Sequence, residues 1–105
     1  MLIQLNTDDH IAGTEQLASE VTSTVEGRLG RFEDRITRVE VHLHDVNAAR
    51  GGKDQRCLLE VRLAGRRPIA VSHLAPTVEE AVEGASHKAL SAIESMLGRL
   101  ESHHP

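Results

Sequence analysis

The stretch FEDRITRVEVHL, residues 32–43, holds the end of a helical pattern and the start of a strand pattern. Its second half alternates apolar and polar residues, the period of a half-buried strand, with Val39, Val41 and Leu43 on one face. The preceding apolar residues recur every three or four positions, as in an amphipathic helix: Leu17, Val21, Val25, Leu29 and Phe32. The sequence therefore predicts a helix that ends near Phe32 and a strand over about 36–46.

The remaining elements follow from turn residues and periodicity on either side of that stretch. Residues 1–6 predict a first strand, and alternation over 55–64 and 67–74 predicts two more strands joined by a tight turn at Gly65-Arg66. The glycine-containing segment 47–54 predicts a hairpin loop. A long second helix is expected to begin at Thr77, whose hydroxyl matches a cap for the amide of Glu80.

This order, β-α-β-β-β-α, predicts an α+β fold with a four-stranded mixed sheet. The helix between the first two strands implies a parallel crossover, and the short turns imply an antiparallel meander. Pro68 lacks an amide donor and places the last strand at an edge. Both helices should cover one face and leave the other open, with these polar residues: Arg38, Glu40, His42, His44, Glu60 and Arg62. One domain is expected over residues 1–101, with a frayed tail at 102–105.

Composition narrows the class of protein. A chain of 105 residues is long enough for one hydrophobic core, and its sequence has no apolar run of membrane-spanning length and no secretion signal, which predicts a cytoplasmic protein. Cys57, the single cysteine, lies among alternating apolar residues and is expected to be an inert buried thiol. The net charge is −4, yet ten of the twelve Lys and Arg residues fall within 28–67. Such a cluster is either a solvated surface or a site for a polyanion.

Two segments carry a resemblance to a known family: residues 32–43 and the run EAVEGASHKAL, residues 80–90. Together with the element order, they resemble the short ribosome hibernation-promoting factors and the related ribosome-associated inhibitors. The likeness includes Arg28-Leu29, Asp34-Arg35-Ile36, Ala81-Val82-Glu83-Gly84 and Lys88. The resemblance implies a fold akin to a double-stranded-RNA-binding domain, binding in the decoding channel of the small ribosomal subunit, and silencing of translation without catalysis.

The first hypothesis is therefore an RNA-binding module whose partners are the small ribosomal subunit and its ribosomal RNA. Aromatic residues make up 1% of the chain, so recognition is expected through the RNA backbone and not through base stacking. The expected phosphate contacts are these seven cations: Arg28, Arg31, Arg35, Arg38, Lys53, Arg56 and Lys88. We expect them to gather into one positive band on the folded protein.

A second hypothesis is a protein-interaction or self-assembly module that retains the fold but binds RNA weakly or not at all. Its motivation is the acidic character of the helices, where Thr24 and Ser91 stand at positions that are usually basic in the family. An open sheet face and an edge strand would allow a homodimer to form by face packing or strand addition.

A third hypothesis, a metal site or an enzyme, has less support in the sequence. His42 and His44 share a strand face near Glu40 and Glu60, but no third histidine, cysteine pair or HExxH motif accompanies them. Gly51-Gly52-Lys53 is not followed by Ser or Thr and a helix, so it is not a phosphate loop. We expect no metal, no cofactor and no enzymatic activity.

Overall fold

The computed structural model describes residues 1–46 and 54–102, and for residues 99–102 it describes the backbone alone. The described elements are four strands, two α-helices and a short 3₁₀ turn. In chain order they are β1 (Leu2–Thr7), α1 (Glu15–Leu29), the 3₁₀ turn (Gly30–Arg35), β2 (Ile36–Asp45), β3 (Gln55–Leu63), β4 (Ile69–Ala75) and α2 (Val78–Ser102). The α+β class and the element order predicted from the sequence are confirmed.

The four strands form one mixed sheet in the order β1-β2-β3-β4. β1 pairs with β2 in parallel, and β2, β3 and β4 form an antiparallel meander, as the connections predict. β4 lies at the edge and begins one residue after Pro68, so the proline needs no ladder hydrogen bond. The register between β2 and β3 places Arg38 opposite Arg62 and Glu40 opposite Glu60 on the open face.

Both helices pack on one face of the sheet and enclose a single core with it. Val25 and Leu29 from α1 meet Ile93 from α2 above the alternating apolar residues of β2 and β3, and all three are fully buried. Three alanines at a spacing of four, Ala81, Ala85 and Ala89, face the sheet along α2 and are also buried. Because alanine is small, the α2 axis can lie close to the strands.

The helix ends follow local capping chemistry. The Thr14 hydroxyl accepts a hydrogen bond from the Leu17 amide at 3.1 Å, and the Thr77 hydroxyl accepts one from the Glu80 amide at 3.1 Å. α1 ends at Leu29, and the 3₁₀ turn that starts at Gly30 takes the chain into β2. Gly65 has a φ of 70° in the turn before β4, a conformation that glycine adopts without steric cost.

Most differences from the predicted boundaries are one or two residues long. β1 extends to Thr7, β2 ends at Asp45, and β4 runs over Ile69–Ala75 instead of 67–74. Ser102, assigned to the tail by the sequence, is the last residue of α2, and residues 103–105 lie outside the described part, as does most of the predicted hairpin loop. Within the described residues, no helix is both long and apolar enough to cross a membrane.

Candidate nucleic-acid interface

Cations concentrate at one end of the molecule, where β2 begins and β3 ends. We call this region the basic end and define it by these six side chains: Arg31, Arg35, Arg38, Arg62, Arg66 and Arg67. Arg31 and Arg35 border the same surface depression beside α2, and Arg35 and Arg66 border the next one. Arg38 and Arg62 face each other across β2 and β3 on the open side of the sheet.

Backbone hydrogen bonds hold the basic end together. The Ala64 amide donates to the Arg35 carbonyl at 3.0 Å, so the end of the 3₁₀ turn is tied to the end of β3. The Arg31 guanidinium lies 4.8 Å from the centroid of the Phe32 ring, a cation–π distance. Two segments that are distant in sequence, residues 31–38 and 62–67, therefore present arginines from fixed backbone positions.

Carboxylates neutralise only part of the basic end. Arg31 forms an ion pair with Glu94 of α2, and Arg38 forms one with Glu40 on its own strand. Within the described part of the chain, the other four arginines of the basic end form no ion pair with a carboxylate. These four exposed side chains are Arg35, Arg62, Arg66 and Arg67. This end of the protein consequently presents four arginines without a direct carboxylate partner in the described residues, while Asp34 borders the same depression as Arg35 and Arg66.

The other predicted contact residues lie elsewhere. Arg28, in the last turn of α1, forms an ion pair with Glu83 of α2. The Lys88 ammonium donates to the Ser72 carbonyl of β4 at 2.8 Å. Arg56 lies six residues from Arg62 on β3, a separation of roughly 20 Å along the strand.

Lys53 falls outside the described residues. Among the cations that the structure describes, those predicted to contact RNA do not form the single continuous band expected from the sequence. The strand and helix geometry brings Arg31, Arg35 and Arg38 to the basic end, with Arg28 three residues before Arg31 but paired with Glu83. Arg56 and Lys88 border a different depression beside β4.

Three arginines of the basic end were missing from the sequence-based contact set: Arg62, Arg66 and Arg67. Arg62 could have been found from the sequence, because the correct pairing register of β2 and β3 places it opposite Arg38. Arg66 and Arg67 are in the predicted turn before β4, and their proximity to Arg35 depends on the packing of the 3₁₀ turn against α2 and β3. Only a three-dimensional arrangement provides that information.

The open face also carries a group of titratable side chains beside the basic end. His42 Nε2 lies 3.8 Å from Glu40 Oε2 and 3.5 Å from Glu60 Oε1. The hydrogen bond from the Arg38 guanidinium holds the pKa of the Glu40 carboxyl below its usual value, against the opposing effect of desolvation. Glu40 is therefore ionised at neutral pH.

Cys57 contributes neither to the basic end nor to the open face of the sheet. Its side chain is fully buried in β3, and burial raises the pKa of the thiol to about 12. A thiol in this environment is protonated at neutral pH and is not a nucleophile.

Comparison with known proteins identifies the family of this chain. The model of the family described as sigma 54 modulation protein / S30EA ribosomal protein matches residues 5–101. The chain therefore belongs to the sigma 54 modulation protein / S30EA ribosomal protein family, and the resemblance to ribosome hibernation-promoting factors is confirmed. This is a family of ribosome-associated factors and not a family of enzymes.

Two solved structures have the same fold. A ribosomal subunit interface protein from Coxiella burnetii superposes with a TM-score of 0.76 at 16% sequence identity, covering 93% of this chain and 99% of that one. The N-terminal domain of Protein Y from Thermus thermophilus superposes with a TM-score of 0.74 at 20% identity, covering 91% and 99%. No curated protein sequence matches the chain.

Proposed function

We propose that this protein is a ribosome hibernation factor that binds ribosomal RNA of the small subunit and inhibits translation without catalysing a reaction. The observation that carries the proposal is the family match over residues 5–101, in a chain whose fold is that of a ribosomal subunit interface protein. A ribosomal partner would also place the protein in the cytoplasm.

The basic end is the surface that we propose for the first RNA contacts. Arginine guanidinium groups donate paired hydrogen bonds to phosphate oxygens, and neutralising phosphates releases counterions from the RNA. Arg35, Arg62 and Arg66 have no carboxylate partner among the described residues, so RNA would not need to displace one. Shape and charge would provide recognition, since Phe32 is the single aromatic residue and is partly buried in the core.

The predicted cations that pair with carboxylates of α2 or lie outside the basic end are proposed as secondary contacts. Arg28 and Arg31 would have to leave Glu83 and Glu94 before they could bind phosphate. Arg56 and Lys88 border one depression beside β4, where a partner as large as a ribosomal subunit could reach them. Lys53 remains in the proposed set on the sequence argument alone.

Co-sedimentation with ribosomes at increasing salt tests the proposal. The wild-type protein should pellet with small subunits near 50 mM salt and be released as salt increases. The triple variant R35Q/R62Q/R66Q should bind more weakly, and its slope of log K against log salt should be less steep by roughly 0.7–0.9 for each phosphate that it no longer neutralises. The matched control R28Q/R56Q/K88Q, which removes three cations outside the basic end, should have a smaller effect. Absence of wild-type binding at 50 mM salt would disprove the proposal.

A second candidate function is the protein-interaction or self-assembly module. The ion pairs Arg28–Glu83 and Arg31–Glu94 favour it, because they neutralise cations of the helical layer. The open face also exposes Leu2 on β1 and Leu74 on β4, which are 55% and 53% accessible and lie on the two opposite edge strands of the sheet. Lys88 partly protects that edge by donating to the β4 backbone at Ser72, a feature that opposes strand addition.

Light scattering coupled to size-exclusion chromatography distinguishes the two candidates. A stable dimer whose mass is unaffected by salt or by added ribosomal RNA, together with no ribosome binding, would support the assembly module. A monomer that pellets with small subunits would support the hibernation factor.

A further inference from the structure

Two carboxylates face each other at the centre of the open sheet face. Glu40 of β2 and Glu60 of β3 are directly opposite in the antiparallel ladder, so their side chains extend from neighbouring positions on the same face. Like charges directly opposite each other on neighbouring strands destabilise a sheet unless a positively charged group lies between them. Arg38 contacts one oxygen of Glu40, Oε1, and leaves Oε2 directed towards its other neighbours.

The imidazole of His42 lies between those carboxylates. Its Nε2 atom is 3.8 Å from Glu40 Oε2 and 3.5 Å from Glu60 Oε1, and ligand atoms of the three residues all lie within 4.8 Å of one another. The same Nε2 atom is inaccessible to solvent and has no hydrogen-bond partner among the residues that the structure describes. A buried polar nitrogen without a partner is unfavourable, and a bound cation would satisfy it.

We propose that Glu40, His42 and Glu60 form a three-ligand site for a divalent transition-metal ion of the zinc class. Imidazole with carboxylates is a common ligand set for zinc, with bonds of about 2.0–2.2 Å. Bonds of that length separate neighbouring tetrahedral ligand atoms by roughly 3.3–3.6 Å. The 3.5 Å separation already matches, and rotations of the Glu40 and Glu60 carboxylates would bring the 3.8 Å separation and the separation between the two carboxylates, which is within 4.8 Å, to that spacing.

The surroundings define the rest of the coordination sphere. The site lies on the face that the helices leave uncovered, so a water molecule would complete the fourth position. Arg38 fixes the orientation of the Glu40 carboxylate through its other oxygen, as a supporting residue does in metal sites. Mg²⁺ and Ca²⁺ prefer oxygen ligands and higher coordination numbers, so they should bind more weakly than Zn²⁺.

Binding of the ion would change the charge of the open face. Three arginines, Arg38, Arg56 and Arg62, lie there on β2 and β3 with the two carboxylates of the site. A divalent cation would neutralise both carboxylates and leave the arginines in excess. The site would then increase the attraction of this face for a polyanion, although the metal proposal itself does not depend on RNA binding.

Calorimetric titration of the 105-residue protein with zinc chloride, paired with Co²⁺ absorption spectroscopy, tests this site. Wild type should bind one ion per chain, and H42A and E60Q should each weaken binding by about 10–100-fold, the range that even supporting residues of metal sites contribute. The matched control H44A removes the next histidine on the same strand face, opposite Arg56, and should retain wild-type affinity.

Two further measurements keep the result unambiguous. The variant H103A/H104A removes the tail histidines and should still bind one ion, and unchanged circular dichroism of H42A and E60Q would exclude unfolding as the cause of their weaker binding. Lack of stoichiometric zinc binding in H103A/H104A, or equal affinity of wild type, H42A and E60Q, would overturn the proposal.

Discussion

The imidazole ring of His73 in β4 lies against Gly84 in α2. A Cβ atom at Gly84 would be 2.1 Å from His73 Cδ2, well inside the van der Waals contact distance. The absence of a side chain at Gly84 therefore creates the space that the half-buried His73 ring occupies between the edge strand and the helix. This is a close approach of a side chain to a helix backbone, and it explains a glycine in the middle of α2.

Substituting this glycine should destabilise the protein. We expect G84A to lower the free energy of unfolding by about 1–3 kcal/mol, because the His73 ring must move away from α2. The control G98A, in the same helix, has no heavy atom of the described residues within 4 Å of the new Cβ apart from its own local helix backbone, and it should stabilise by up to about 1 kcal/mol through helix propensity. Urea denaturation measures the free energy of unfolding of both variants. In an H73A background G84A should become stabilising, and a stabilising effect in the wild-type background would contradict the contact.

Removing the carboxylates that pair with the helical arginines should strengthen binding to ribosomes. In E83Q/E94Q, Arg28 and Arg31 lack their ion-pair partners, so the salt dependence of binding should become steeper by roughly 0.7–0.9 for each additional phosphate that they neutralise. Stability should change by less than about 1 kcal/mol, because exposed ion pairs contribute little.

The control for that experiment is E15Q/E26Q, which removes two carboxylates from α1 that form no ion pair with a described arginine. Co-sedimentation near 150 mM salt compares the variants. If both double variants bound more tightly by the same factor, the general charge change would be responsible and not the release of Arg28 and Arg31.

Asp8 should make stability depend on pH in the acid range. Its carboxylate accepts hydrogen bonds from the Asp45 amide at 2.7 Å and the His10 amide at 2.9 Å, and the Asp45 bond chiefly lowers its pKa below the usual 3.8. A lowered pKa in the folded state means that the stabilisation is complete above pH 3.8 and is lost as the pH falls through the folded value.

The variant D8N should therefore have a lower Tm than wild type at pH 7, and the difference should shrink towards pH 2. Thermal unfolding followed by circular dichroism at both pH values measures it. The neighbouring exposed D9N serves as the control and should match wild type throughout. A Tm difference for D8N that is independent of pH would refute the role of the carboxylate charge.

Cys57 should be unreactive in the folded protein. Because the thiol is fully buried and its pKa is raised to about 12, a disulfide reagent at pH 8 should modify it only after unfolding. The modification rate in urea should increase in parallel with the unfolded fraction. Rapid stoichiometric labelling of the native protein would show that the thiol is accessible.

Much of the fold was predictable because it depends on local periodicity. Alternation in 32–43 determined β2, spacing of apolar residues determined α1, and the Thr77 cap determined the start of α2. The parallel crossover and the edge position of β4 followed from connection lengths and Pro68. The 3₁₀ turn was less predictable, since it depends on how the chain packs between α1 and β2.

The candidate sites were only partly predictable. The sequence placed Glu40, His42 and Glu60 on one face, but the distances between them depend on the register of β2 and β3 and on side-chain packing. Likewise, counting charges showed that cations are abundant in residues 28–67, and it did not show which of them are paired with carboxylates of α2.

The sequence by itself determined the element order, the buried face of each element and the family, because hydrophobic spacing, caps and motifs are local along the chain. Only the tertiary structure decided that six arginines gather at the basic end while Arg56 lies apart beside Lys88, and that Glu83 and Glu94 neutralise Arg28 and Arg31. The physical reason is that electrostatic interactions depend on distances of a few ångströms between residues far apart in sequence, and folding alone sets those distances.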